Sequence, residues 1–444
     1  MRINVIEEKL KKIVHDIYRI FDYDDLEYDD SSNLIITNNK AILDEEYSFN
    51  SRIELKQILY KYFSKVYGKS SPWGIVTGTK PQKLFGMYDK NYLKENYYIS
   101  NQKLEILSTI GEMQKNIDFN KESIHLYINI PFCPTRCSYC SFPTIVYTKK
   151  DRRQQYLESL LIEIDGLKKS ISNFDVRTIY IGGGTPSSFE KEQLIELMES
   201  INSSIDFMKV EEFTFEAGRE DTLDIEKLQI LKDYGVNRIS INPQTFNEKT
   251  IEVIERKQDT DRLIDIYNHA KNFGFIINMD LIIGLMGEGL KEVKETLSYI
   301  EKLRPHNLTI HTLSLKKGSK LVDKESNLEE ERNKIESIIK YTQSFAKENS
   351  YYPYYLYRQK EILGNFENIG FTLDGYKCLY NIVINEEVES VLGLGMTSNS
   401  KILINDKIYK YRNYKNMDMY IGNLEQQIED KRKILLNKKE IEGI

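Results

Sequence analysis

The sequence predicts an α/β protein centred on an open or partial (β/α)6 barrel, with an α+β region before it and an α+β extension after it. Two observations carry this expectation. Six short apolar or β-rich runs alternate with segments of helical periodicity through the middle of the chain, and 444 residues exceed one ordinary core. The runs lie at 126–132, 178–181, 213–215, 238–242, 276–283 and 308–315. Helices are predicted at 152–169, 192–201, 225–234, 260–272 and 290–303. In the first of these, Tyr156, Leu160, Leu161 and Ile164 share one face. Helices joining successive strands imply a parallel sheet with right-handed crossovers. In such sheets the chemistry sits beyond the C-terminal ends of the strands.

The flanks read differently. Residues 1–118 form an accessory region, 119–325 the barrel, and 326–444 a C-terminal region. The first begins with an amphipathic stretch at 5–20, then an acidic stretch at 22–30, alternation at 33–38, and helical patterns at 51–67 and 103–116. Its turn-rich segment 71–81 carries the only tryptophan, Trp73, and reads as a structured linker with an anchoring aromatic. The last region opens with a helix at 328–348, followed by tyrosine-rich 351–357 and strand-like pieces around Val383, Val391 and 402–404. The tyrosine-rich run reads either as a packing seam or as a cover over a ligand.

Charged residues make up 29% of the chain and hydrophobic ones 40%, which is the balance of a soluble globular protein. The net charge of −6, with both signs intermixed, argues against a nucleic-acid partner. No apolar run reaches membrane-spanning length; the best, 273–286, is broken by Asn278 and Asp280. Met1-Arg2-Ile3-Asn4 has no secretory pattern, so a cytoplasmic location is expected. Nothing in the sequence speaks to oligomeric state.

Three of the four cysteines, Cys133, Cys137 and Cys140, fall within eight residues as C-x3-C-x2-C, directly after the first strand. Three thiolates can wrap one [4Fe–4S] cluster and leave its fourth iron open to a ligand that is not cysteine. Structural zinc fits worse, because it wants four ligands, usually as two separated pairs, and no histidine stands next to the cysteines on their C-terminal side. Disulfides are disfavoured in a reducing compartment. Cys378 reads as a small buried hydrophobe.

Other polar residues fall at strand ends. Gly182-Gly183-Gly184-Thr185-Pro186 follows the second strand and lets backbone approach a ligand closely, although any tight strand–helix turn has the same use for glycine. Glu216 ends the third strand, either as a partner for a ligand ammonium or as a solvated carboxylate. Gln244 ends the fourth. Asp280 interrupts an apolar run, where a charge is rarely unpaired. Ribose hydroxyls or a neighbouring loop would serve as its partner. Arg256 has threonine, not a carboxylate, four residues on, and suits a ligand carboxylate or the surface.

The cysteine spacing resembles the signature of the radical S-adenosylmethionine (SAM) superfamily. Together with Tyr127, Gly182–Pro186, Glu216, Gln244, Arg256 and Asp280, in this order, it resembles the family of oxygen-independent coproporphyrinogen III oxidases over residues 118–320. The stretches 71–83, 354–360 and 364–368 are similar to the HemZ-like, coproporphyrinogen dehydrogenase branch, and Gly393-Leu394-Gly395 to the family's C-terminal glycine element. The resemblance implies that Cys133, Cys137 and Cys140 bind a [4Fe–4S] cluster. It implies that Gly183, Thr185, Glu216, Gln244, Arg256 and Asp280 bind SAM, and that Tyr127 lies near cluster and substrate in a catalytic role. The implied activity is oxidative decarboxylation of coproporphyrinogen III to protoporphyrinogen IX in anaerobic haem biosynthesis, initiated by a 5′-deoxyadenosyl radical. Its partners are a tetrapyrrole, held by cationic groups such as Arg136, Arg358 and Lys360, and a low-potential electron donor. The C-terminal region would cover the substrate. Two positions depart from the family pattern: Phe142 stands where the decarboxylases have a further cysteine, and Asn129 where they have histidine. The C-x3-C-x2-C-x-F form is shared with haem chaperones and haem-degrading relatives, which is the alternative function.

Overall fold

Six strands follow one another with a helix in every crossover: β1 (Ser123–Ile130), β2 (Asp175–Gly183), β3 (Glu212–Gly218), β4 (Arg238–Ile241), β5 (Ile276–Ile283) and β6 (Asn307–Thr312). The computed structural model that shows this describes residues 1–22, 26–78, 80–147, 151–314, 328–359 and 362–443. Each strand pairs in parallel with the next, as helical crossovers require. Apolar side chains line up across the pairs, for example Leu126 with Ile179 and Met279 with Leu308, and are buried in the core. The crossover helices Arg153–Ile171, Lys191–Ser204, Ile225–Asp233, Thr260–Asn272 and Leu290–Leu303 match the expected ones to within two or three residues at each end.

The arc does not close on itself. Beyond β6 the sheet continues antiparallel through β8 (Asn368–Thr372) to β7 (Tyr352–Tyr357) at one edge. On the other side β9 (Ser390–Leu394) lies parallel to β1, and β10 (Asn399–Ile404) and β11 (Lys407–Arg412) extend it antiparallel. The result is one open sheet of eleven strands, a partial (β/α)6 barrel with extensions at both edges. Leu315, expected at the end of β6, lies outside the described residues.

The piece expected to be strand-like around Val383 is a helix, Leu379–Glu386. A tertiary contact decides this. The buried Glu212 carboxylate accepts the N–H groups of Leu379 at 2.8 Å and Tyr380 at 3.2 Å, satisfying donors that a helix start leaves orphaned. That cap outweighs the β preference of Ile382, Val383 and Ile384.

The N-terminal residues build a small five-stranded sheet of their own, starting with Arg2–Val5, against the helices Glu8–Tyr18 and Arg52–Tyr67. Trp73 bolts this region to the rest. Its indole N–H donates to Glu367 Oε2 at 2.7 Å, and Lys103 pairs with the other oxygen of the same buried carboxylate.

A second buried ion pair holds the C-terminal helix Leu424–Glu442. Its Lys431 meets Glu163 of the helix Arg153–Ile171, and both side chains are almost wholly shielded from solvent. Glu163 also accepts from Gly395 N at 2.7 Å and from the Tyr420 hydroxyl at 2.6 Å. Gly395 has φ +84°, and a Cβ there would fall 2.3 Å from the Tyr156 hydroxyl and 2.7 Å from Asn129 O. Lys431→Met is expected to cost about 3–5 kcal/mol, because it leaves a buried carboxylate unpaired. The double variant Glu163→Gln, Lys431→Met should recover most of that loss in urea denaturation; equal loss in both would mean that the pair is not the source.

Candidate functional site

Along β3 to β6 every second side chain points into the arc, and most of these positions are polar, Ile282 being an exception. Thr214, Glu216, Ser240, Asn278, Asp280 and Thr309 all line one cavity, while Phe215, Ile239, Met279 and Leu308 between them are core. A packed barrel fills this space with branched apolar residues. Here it is a chamber of about 720 Å³. It runs from the cysteine loop, at the C-terminal ends of the strands, down to Arg238 and Asn307, which begin β4 and β6.

The cysteine loop is pinched at its base. Phe132–Cys133 pairs with Ile145–Val146, and Ile145 N donates to Pro131 O at 2.7 Å. All three cysteines of the motif line the cavity. Burial pushes the Cys133 thiol up to about 11 against the opposing effect of Thr185, whose hydroxyl is 3.4 Å from the sulfur. Burial also raises Cys140. Thiols so placed need positive charge nearby to ionise. Arg219 supplies some. It forks onto Asp221, donates to Thr135 Oγ1 at 3.0 Å, and reaches Cys137 Sγ at 3.9 Å.

The glycine turn fits the loop. A Cβ on Gly183, whose φ is +123°, would fall 2.4 Å from Asn129 Oδ1. One on Gly182 would fall 2.6 Å from Glu216 Oε2. Glu216 is thus held against backbone. Burial first, then the nearby Asp280, hold its carboxyl up to about 8. Asp280 goes the other way. Burial pushes it up, but His311 and the bonds from Asn278 and Thr309 prevail and lower it. Asn278 Nδ2 donates to Asp280 Oδ1 at 2.8 Å, and His311 Nε2 stands 3.7 Å from Oδ2. Two carboxyls with opposed shifts, one holding a proton and one a charge, face the same chamber.

Gln244 sits at φ +64°, and its buried Oε1 has no hydrogen-bond partner. Arg256 is buried rather than on the surface. It donates to Gly218 O at 2.9 Å, Asn242 O at 2.6 Å, Gln258 Oε1 at 3.1 Å and the Tyr139 hydroxyl at 3.3 Å. Of its five N–H groups one remains, on Nη1.

The structure therefore brings Cys133, Cys137, Cys140, Gly183, Thr185, Glu216, Gln244, Arg256 and Asp280 to one cavity. Tyr127 stands just behind that wall, its ring stacked with Tyr180 and Tyr380 and its hydroxyl donating to Asn129 Oδ1 at 3.1 Å. Arg136 is exposed at the mouth. Arg358 does not reach the cavity. It is buried and spends its donors on Val76 O, Phe366 O and Asn365, which makes it a brace between the N- and C-terminal regions. Lys360 lies outside the described residues. Cys378 is buried at the floor, its thiol 3.2 Å from Glu212, far from the cysteine loop along the strands.

Sequence reasoning missed Arg219, His311, Tyr180 and Tyr380, whereas Tyr357 belongs to the tyrosine-rich run that reads either as a packing seam or as a cover over a ligand. For His311 a signal existed: Asn307, Thr309 and His311 alternate with apolar residues, whereas a strand covered on both faces reads as continuously apolar.

The radical SAM superfamily model matches residues 127–300. The oxygen-independent coproporphyrinogen-III oxidase-like protein HemZ of Bacillus subtilis is 38% identical over 389 residues, which covers 83% of this chain and 78% of that protein. The chain belongs to the radical SAM family of oxygen-independent coproporphyrinogen III oxidase-like proteins. The heme chaperone HemW of Buchnera aphidicola is 28% identical over 305 residues, 68% of this chain and 77% of that one. In structure, the chain resembles coproporphyrinogen III oxidase HemN of Escherichia coli, with TM-score 0.57 and 22% identity over 71% of this chain and 72% of that one. The radical SAM family uses a [4Fe–4S] cluster and SAM.

Proposed function

We propose that the protein is a radical SAM enzyme that oxidatively decarboxylates two propionate side chains of coproporphyrinogen III, giving protoporphyrinogen IX. One observation carries the reading furthest: the three cysteines and the polar side chains along the strands line a single cavity of about 720 Å³. Its residues suit the cofactors. Among the described residues no three His, Cys, Asp or Glu side chains converge as a single metal ion requires. Ligands of separate irons in a cluster need no such convergence. Cys133, Cys137 and Cys140 would hold the cluster. The unpartnered Gln244 Oε1 and the remaining Arg256 N–H are two orphaned groups suited to a zwitterionic, hydroxylated ligand. Glu216, with Gly183 and Thr185 beside it, would take the SAM ammonium, Arg256 its carboxylate, and Asp280 and Gln244 its ribose.

When bound, cluster and SAM supply a carbon radical able to remove hydrogen from an unactivated C–H bond. The chain contributes orientation and exclusion of water. Each propionate loses one hydrogen atom, CO2 and one electron to an acceptor. The C-terminal region, taken as 326–444, covers the chamber with Tyr357, Tyr380 and Asn381. Residues 119–325 are then the catalytic body and 1–118 an accessory region. Tyr127, expected in a catalytic role, stands behind Tyr180 and Tyr380, and we propose it as a positioning residue that acts through them. A low-potential electron donor completes the reaction. No helix among the described residues is long and apolar enough to cross a membrane, and a cytoplasmic site of action suits this chemistry.

Anaerobic incubation with SAM, a low-potential reductant and coproporphyrinogen III should release CO2 and 5′-deoxyadenosine together, with vinyl products by mass spectrometry. Tight haem binding with no decarboxylated product, while SAM is cleaved, would favour the chaperone or haem-modifying alternative. Phe142 and the likeness to HemW support that second reading.

A further inference from the structure

Four carboxylates on the proposed substrate need donors, yet the arginines that line the chamber are largely committed. Arg219 is bound to Asp221, Arg238 lies 3.4 Å from Glu212 at the floor, and Arg256 is held by two carbonyls. Arg136 is at the mouth. What faces the interior from β6 and β7 is a different set. His311 Nε2 is turned to Asp280 Oδ2 at 3.7 Å, and its Nδ1 lies 3.2 Å from the Tyr357 hydroxyl. Gln359 Nε2 donates to the same hydroxyl at 3.5 Å. His311, Tyr357, Gln359 and Asp280 all line the cavity.

The hydrogen count is informative. Asp280 lies 3.7 Å from His311 Nε2 and only accepts when ionised, so the tautomer with its hydrogen on Nε2 is the one that suits it. The Tyr357 oxygen accepts from Gln359, which leaves its own hydrogen two destinations: His311 Nδ1 or the cavity. An anion arriving from the cavity takes that hydrogen. Burial, reinforced by Asp280, keeps the phenol protonated, so it meets an anion as a donor and not as a like charge.

We propose that Tyr357, His311 and Gln359 form a carboxylate subsite that holds one propionate of the tetrapyrrole. This rests on the function proposed above and adds to it where the substrate is gripped. The subsite is separate from the groups assigned to SAM except through Asp280, and that contact defines the test.

Binding is measured anaerobically on the cluster-loaded, SAM-bound full chain, by calorimetry with coproporphyrinogen III and no reductant able to start turnover. Tyr357→Phe and His311→Asn should each weaken coproporphyrinogen III about ten-fold or more, as expected for losing a hydrogen bond to a charged group. Iron content and SAM affinity should stay within about two-fold. If both variants bind coproporphyrinogen III as the native chain does, the subsite is wrong and the proposed function stands. If SAM affinity falls while coproporphyrinogen III affinity is unchanged, His311 and Tyr357 serve Asp280 and the subsite is again wrong. If the native, SAM-bound chain does not bind coproporphyrinogen III, the functional reading itself fails and this inference with it.

Discussion

Replacing Cys137 with alanine is expected to abolish the iron–sulfur cluster. Reconstituted native protein should carry about four irons per chain, one ligand position being open to SAM. Cys137 is the most buried of the three cysteines, and Arg219 directs an N–H at its sulfur, 3.9 Å away. Without that sulfur only two thiolates remain, Cys133 and Cys140, and both are raised by burial. Two ligands do not hold a four-iron cluster against solvent. Iron content, visible absorption and SAM cleavage should fall together to background. Cys378→Ala is the matched control. Its thiol bonds to Glu212 at the far end of the strands, so iron content should be unchanged. A full cluster in Cys137→Ala, or loss of iron in Cys378→Ala, would overturn the assignment of ligands.

Glu216→Gln is expected to weaken SAM binding by about one to two decades, the loss of a charge-assisted contact worth roughly 1.5–3 kcal/mol. It should also remove a pH dependence. The Glu216 carboxyl is held up to about 8, chiefly by burial and then by Asp280. An ammonium bound beside it favours the ionised form, so native affinity should rise with pH toward about 8, where the α-amino group of SAM begins to lose its own proton. The glutamine variant should show no such rise. Stability runs in the opposite direction. With its folded value raised from 4.5 to about 8, the folded chain binds more protons than the unfolded chain between those limits. Glu216 therefore contributes stability that is fully present below about 4.5 and lost as pH rises through about 8. Glu216→Gln should melt higher than native protein at pH 9 and about equally at pH 5. Unchanged SAM affinity from pH 6 to 9 in both proteins would remove Glu216 from the ammonium site.

These two residues also mark how much was legible from sequence. Cys137 was readable as a candidate ligand because its motif is contiguous: three cysteines within eight residues point to one cluster without knowledge of the fold. Glu216 was readable only as a strand end. Its carboxyl is raised first by burial and then by Asp280, two strands away, and neither is visible in the local sequence. Arg358 shows the converse. A cation in a tyrosine-rich run suggested a substrate contact, but its nearest carbonyl partners include Val76, which is 282 residues away. A buried guanidinium can satisfy itself on backbone as readily as on a ligand, and composition does not distinguish the two.

By itself the sequence determined the cysteine loop, the glycine turn and the order of six strands and helices. Each depends on spacing along the chain, and spacing sets local geometry directly. Tertiary structure alone decided the rest. It set β9 beside β1, where Gly393 pairs with Tyr127, and turned the residues around Val383 into a helix by lending them the Glu212 carboxylate. It also brought His311 to Tyr357, 46 residues on, at the wall of the chamber. Long-range pairings of this kind are chosen by which buried polar groups find partners once the sheet has formed, and no local period in the chain records that choice.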